Sequence, residues 1–178
     1  MKNLKFSGRE TAVIRAIDFT TGTLGAEILV KTRIEAQETL DILNGLLDTE
    51  HKAIAAYTAG IPLLAQPTAK AGQLFLNDEL SHAGDLAGLV RAAGGKPIKP
   101  APSYALGHPR NSEEVLMLLH AVERAQIAAY LNAIPRLEPG VVKQQVASIL
   151  ANDAQHVAVV RAALGQPAIP SAFVTGRE

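Results

Sequence analysis

The chain has 178 residues, 48% of them hydrophobic and 4% aromatic, and its 17 Lys and Arg balance 17 Asp and Glu. That length fits one domain with a substantial core, and zero formal net charge at pH 7 offers no electrostatic footprint for nucleic acid or an anionic membrane. The absence of cysteine excludes disulfide frameworks, zinc fingers, iron–sulfur clusters and cysteine nucleophiles, and an alanine-rich, aromatic-poor composition favours a helical bundle over a β-sandwich.

The N-terminus, Met1-Lys2-Asn3-Leu4-Lys5, is basic, but no apolar run of signal length follows it. No run of about 18 apolar residues is present either. The sequence as it stands predicts a cytoplasmic protein, or a periplasmic one if a signal peptide has been removed. Residues 1–34 form an N-terminal arm or short helix. Ser7-Gly8-Arg9-Glu10 matches a capping box ahead of Val13, Ile14 and Ile17. Residues 20–25 read as a turn, and residues 27–34 either extend the first long helix or form an extended arm.

Proline and glycine then punctuate the chain at residues 60–67, 94–111, 135–140 and 165–170. Between them lie four stretches of helical length, about 35–61, 68–93, 112–134 and 140–164. Each carries an apolar seam stepping by three and four residues. The first seam holds Leu40, Leu43, Leu47, Glu50, Ile54, Tyr57, Ile61 and Leu64, and the second Phe75, Glu79, His82, Leu86, Leu89 and Ala93. The third holds Leu116, His120, Glu123, Ile127, Tyr130, Ile134 and Leu137, and the fourth Val146, Ile149, Asp153, His156, Val160 and Ala163. Asn111-Ser112-Glu113-Glu114 supplies a helix start, and Gly94 and Gly165 supply stops. The predicted fold is an all-α four-helix bundle over residues 35–164 with an irregular tail, 165–178.

The bundle repeats itself. Glu50, Ile54, Tyr57 and Ile61-Pro62 return as Glu123, Ile127, Tyr130 and Ile134-Pro135, and Glu79 and His82 return as Asp153 and His156. A duplicated helical hairpin accounts for this.

The informative residues interrupt the seams. Glu50, Glu79, His82, Glu123, Asp153 and His156 stand where apolar residues belong. A buried unpaired carboxylate is very unfavourable, and four together repel. No lysine or arginine lies on these seams to compensate. Two divalent cations balance four carboxylates, with two neutral imidazoles completing the coordination. With 17 acids and five histidines, about half an acid-x-x-His match is expected by chance. Three occur, and the third, Asp48/His51, lies one position off the seam and reads as a feature of the bundle flank.

In these residues the chain resembles the ferritin-like di-metal carboxylate family. That family takes one Glu from each of two helices and Glu-x-x-His from each of the other two. Here the order is Glu50, then Glu79-Leu80-Ser81-His82, then Glu123, then Asp153-Ala154-Gln155-His156. The resemblance spans about residues 36–164, with a crossover at 95–111 long enough to run the length of a bundle. It is closest to bacterial ferritin-like domains without a cage-forming fifth helix. It implies two divalent metal ions, iron first, with manganese or zinc allowed by the donor types. Glu50 and Glu123 are then terminal ligands, Glu79 and Asp153 bridge, and His82 and His156 each cap one metal. It also implies ferroxidase-like or peroxide- or O2-linked redox activity. Antiparallel helical hairpins often pair, so a homodimer is the default assembly, and the balanced charge predicts no nucleic-acid or membrane partner. The alternative is a non-catalytic scaffold, metal-binding or metal-free, serving in stress response or protein interaction. Asp153 departs from the pattern by one methylene, which puts the second metal position in question.

Tyr57, Tyr130 and His120 are candidates to support the ligands from behind; each is also readable as an ordinary core residue with a satisfied polar tip. Gln126 and Gln155 can face the cavity. Arg91 and Arg161 read as partners of helix C-termini. A rubredoxin-like electron module is excluded for want of cysteine, and the single internal methionine, Met117, offers no clear haem-linking interface.

Overall fold

The computed structural model describes residues 22–178, with side chains described from residue 32 onward. The chain divides into two compact units, Met1–Asp41 and Ile42–Glu178. The described elements are α1 (Gly22–Gly60), α2 (Thr68–Ala92), α3 (Ser112–Ala133) and α4 (Val141–Ala163), with 3-10 turns at Ile61–Leu63 and Ile134–Arg136. No strand occurs among the described residues.

The helix ends follow their local chemistry. Asn111 caps α3: its Oδ1 accepts the Glu114 amide at 2.9 Å, and the Glu114 carboxylate reaches back to the Arg110 amide at 2.8 Å. α2 stops at Gly94, whose φ of +79° lets the Gly95 amide turn back onto the Val90 carbonyl at 2.9 Å. Gly165 (φ +71°) ends α4 in the same way, with Gln166 bonded to the Arg161 carbonyl at 2.9 Å. α1 and α3 both end in an Ile-Pro 3-10 turn, because a proline ring forbids continuation of the i→i−4 ladder. These paired endings are the duplicated hairpin made visible. α4 runs three residues less beyond His156 than α2 runs beyond His82 before its stop glycine, which is why the repeat offsets disagree there.

One expectation for the N-terminal region changes. Residues 22–25, read as part of a turn, are helical, and of the two readings of residues 27–34 the extension of the first long helix is the one observed. Gly22 and Gly25 each cost about 1 kcal/mol relative to alanine, but no proline interrupts residues 22–60, so flanking helix formers carry the helix through. The capping box at Ser7–Glu10 and the helix predicted after it lie outside the described residues.

Within the unit Ile42–Glu178 the apolar core is built from Leu43, Leu47, Ala53, Ala56, Tyr57, Leu86, Val90, Val115, Leu119, Val122, Ile127, Val146 and Val160, all buried. At Gly60 a Cβ would meet the Val115 side chain at 2.7 Å, so glycine sets how closely α1 passes α3. Residues 93–111 form the crossover between the hairpins. Its prolines at 97, 100, 102 and 109 preclude helix. Its backbone is satisfied instead by α1: Asn44 accepts the Ile98 amide at 3.0 Å and donates to the Lys96 carbonyl at 3.4 Å, and Tyr104 donates to Asp48 at 3.3 Å. That pairing settles the Asp48/His51 motif, since Asp48 is exposed and engaged by the crossover. No described helix is long and apolar enough to cross a membrane.

Candidate metal centre

Each helix of the bundle brings one buried carboxylate to the interior: Glu50, Glu79, Glu123 and Asp153 are fully buried, and His82 and His156 are buried beside them. The helical register brings this about, because seam residues share the face that the surrounding leucines and valines pull inward.

Two overlapping groups form. Glu79, Glu123, Asp153 and His156 offer donor atoms within 4.8 Å of one another, and so do Glu50, Glu79 and His82. Glu79 belongs to both groups. His156 turns Nδ1 inward, 3.1 Å from Glu79 and 3.3 Å from Glu123. His82 also faces inward through Nδ1, 3.5 Å from both Glu50 and Asp153.

The next layer orders these groups. Tyr57 donates to Glu123 at 2.5 Å, and Tyr130 donates to Glu50 at 2.5 Å. Each tyrosine therefore serves the glutamate of the opposite hairpin rather than the one seven residues before it. Gln126 donates to Glu79 at 2.8 Å. The Nε2 of His156 lies 3.2 Å from Asp78, and the ring stacks on Phe75 with centroids 4.1 Å apart.

Electrostatically the cluster is uncompensated. Burial pushes the Asp153 carboxyl well above its ordinary range, with the charge of Glu50 adding to it. Burial also raises Glu123, against the opposing hydrogen bond of His156, and lifts Glu79 to about 7. Burial disfavours charge on His156, yet its bonds to Glu123 and Glu79 outweigh that and raise it to about 11. Burial holds both tyrosine hydroxyls protonated, as donors.

The donor set fits divalent metal. Glu50 Oε2, Glu123 Oε2, both Asp153 oxygens and His82 Nδ1 are buried without a hydrogen-bond partner. No described lysine or arginine pairs with these carboxylates. Buried polar atoms are ordinarily satisfied, so five unpaired ligand atoms distributed over the two adjoining groups mark a place for cations. Carboxylate oxygens with imidazole nitrogen suit iron, manganese or zinc alike.

The sequence-predicted residues sort cleanly. The six seam residues come together, and Tyr57 and Tyr130 stand behind them. His120 does not join them: it is half-buried, and its charged surroundings are Arg124, Arg161 and Glu178. The chain's tail returns to this part of α3, where Gly176 sits so close that a Cβ would lie 2.7 Å from the Arg124 carbonyl. His120 therefore lies in the field of Arg124, Arg161 and the tail's Glu178 and belongs to neither donor group. Gln155 is exposed and bonds to the Ala151 carbonyl on its own helix. Arg161 does more than face a helix terminus, donating to the tail carbonyl of Pro167 at 2.8 Å. Asp78 was not identified from sequence, because it sits beside the seam and is half-exposed. Its only signal is its place immediately before Glu79.

The family model for the ferritin-like domain matches residues 38–166, well over half of the chain. The chain belongs to the ferritin-like domain family. This ferritin-like protein is also similar in fold to several solved structures. One is a conserved hypothetical protein of Mycobacterium tuberculosis, at 18% identity and a TM-score of 0.70, covering 78% of this chain and 99% of that one. Another is a ferritin-like, diiron-carboxylate protein of Bacillus anthracis, at 19% identity and TM-score 0.63, covering 73% and 97%. A third is a bacterioferritin of Rhodobacter capsulatus with a metal-free dinuclear site and haem iron, at 20% identity and TM-score 0.59, covering 72% and 84%. The comparison with curated proteins finds no match.

Proposed function

We propose that this ferritin-like protein binds two divalent metal ions between its four helices and uses them in ferroxidase-like or peroxide- or O2-linked oxidation. The observation that carries the reading is the meeting of one buried carboxylate from each of the four helices, those of Glu50, Glu123 and Asp153 keeping unpartnered oxygens, with one imidazole nitrogen directed inward from each of α2 and α4. The Bacillus anthracis neighbour, described as diiron-carboxylate, supports iron as the first metal to test; manganese and zinc suit the same donors.

In this reading Glu79, shared by both groups, lies between the two positions. Glu50 and His82 serve one position, Glu123 and His156 the other, and Asp153 completes the second. The bound ions supply redox equivalents and open coordination positions for the oxidant. The protein fixes the ligands. Tyr57 and Tyr130 hold Glu123 and Glu50 at one oxygen each and leave the other free, while Gln126 holds one oxygen of Glu79 and His156 faces the other. Phe75 holds the His156 ring by stacking. A small apolar cavity of about 20 Å³ lies beside Tyr57 and Phe75 and is lined also by Leu64, Gly72, Leu119 and Val160.

Elemental analysis of protein purified without chelator, and again after anaerobic Fe(II) or Mn(II) loading, tests the reading. About two ions per chain, lost in Glu79→Ala, are expected, together with aerobic Fe(II) oxidation faster than in buffer. No uptake in either preparation would mean that protons alone hold the cluster together and that the domain is a scaffold.

A further inference from the structure

The duplicated hairpins set each seam residue opposite a counterpart, and the pairs are not equal. Asp78-Glu79 on α2 corresponds to Asn152-Asp153 on α4. Both substitutions fall on the same repeat unit, and both have structural consequences.

The first concerns the residue behind each histidine. Asp78 stands 3.2 Å from the outer nitrogen of His156. With Nε2 donating to that carboxylate, Nδ1 can direct its lone pair at the space shared by Glu79 and Glu123. A carboxylate behind a ligating imidazole fixes the ring and strengthens it as a donor. His82 has no such support, since its ion-pair contacts all run through Nδ1. Asn152, in the register of Asp78, is neutral, and its Oδ1 is buried without a partner.

The second concerns reach. Glu79 belongs to both donor groups, whereas Asp153 joins only the group containing His156. Its oxygen comes within 3.5 Å of His82 but not within common reach of the Glu50 group. One position therefore has four donors and the other three.

We infer that the two metal positions are inequivalent: a tight one at Glu79, Glu123, Asp153 and His156, with Asp78 as its positioning residue, and a labile one at Glu50, Glu79 and His82. The labile ion exchanges while the tight ion stays. This rests on the di-metal reading and adds a division of labour to it, in which one position is a resident cofactor site and the other a site for an ion that comes and goes.

The test is anaerobic titration of metal-free protein with Co(II) alone, followed by calorimetry and by the d–d absorption of the bound ion. Two resolved steps are expected, the first at least about 10-fold tighter than the second. Asp78→Asn should weaken the first step by about 10- to 100-fold, the usual loss for an outer partner of a metal-bound histidine, and leave the second in place. Asp78 is half-exposed but pairs with the buried His156, so the metal-free variant should melt somewhat lower, and the unchanged second step shows that the bundle is intact. Asp153→Glu, which restores the missing methylene, should narrow the gap between the steps. Two ions binding with equal affinity, or Asp78→Asn acting only on the second step, would overturn the inference and leave the di-metal reading standing. No Co(II) uptake would overturn both.

Discussion

Tyr57 on α1 donates its hydroxyl to Glu123 on α3 across the bundle at 2.5 Å. The duplicated Tyr130 returns the same bond to Glu50 on α1 at 2.5 Å. The two hairpins are thus locked to each other through their own candidate ligands. Hydrogen bonds to a charged group are worth about 1.5–3 kcal/mol. Tyr130→Phe should therefore lower the unfolding free energy by about that amount while retaining the full metal content. Denaturant unfolding with parallel elemental analysis checks both halves. Loss of metal in the variant would mean that the tyrosine does more than orient Glu50.

Glu79 is the residue on which the opposed demands of folding and binding meet. It is fully buried, faces other carboxylates, and belongs to both donor groups. Glu79 lies 3.1 Å from His156 and helps hold its proton, and removing one partner of a buried ion pair leaves the other uncompensated. Glu79→Gln should therefore destabilise the metal-free protein, and abolish the rise in melting temperature on metal loading, since binding free energy is linked to folding. Thermal melts with and without metal separate the two effects. A variant that still gains stability from metal would remove Glu79 from its shared role.

The seam period made most of the site legible in the sequence. Six polar residues in apolar register and a duplicated Glu-x6-Tyr pattern carry information that survives folding, because helical spacing alone decides which face they share. What failed did so for tertiary reasons. His120 keeps the seam register, yet the C-terminal tail returns to that part of α3 at Gly176, and the charges that act on the histidine are Arg124, Arg161 and Glu178 and not the cluster. Asp78 lies off the seam, and only the stagger of α4 against α2 brings His156 to it. The start of α1 was obscured by Gly22 and Gly25, which weaken a helix without ending it.

Asp48 and His51 provide the control for motif spacing. They repeat the acid-x-x-His pattern, but Asp48 accepts from Tyr104 of the crossover and His51 is only half-buried. His51→Ala should leave metal content at the wild-type level, whereas His156→Ala should lose at least one ion. Equal losses would show that spacing, not seam position, carries the site.

The protonation of the metal-free cluster fixes a direction for pH. Glu79 is raised to about 7 and His156 to about 11, and Glu123 and Asp153 are raised as well. In every case the folded state holds protons that the unfolded chain releases, so stability falls as pH rises. For His156 the contribution is complete below about 6.5 and is lost towards 11; for Glu79 the penalty builds between about 4.5 and 7. Metal ligands must be deprotonated, so affinity changes in the opposite sense. The metal-free protein should melt lower at pH 8 than at pH 6, and the rise in melting temperature on loading should be larger at pH 8. Loading in weak buffer near neutrality should also acidify the solution, because the Nδ1 proton of His156 and those kept on the carboxylates must leave. A stabilisation by metal that shrinks with rising pH would place the ion somewhere other than among these groups.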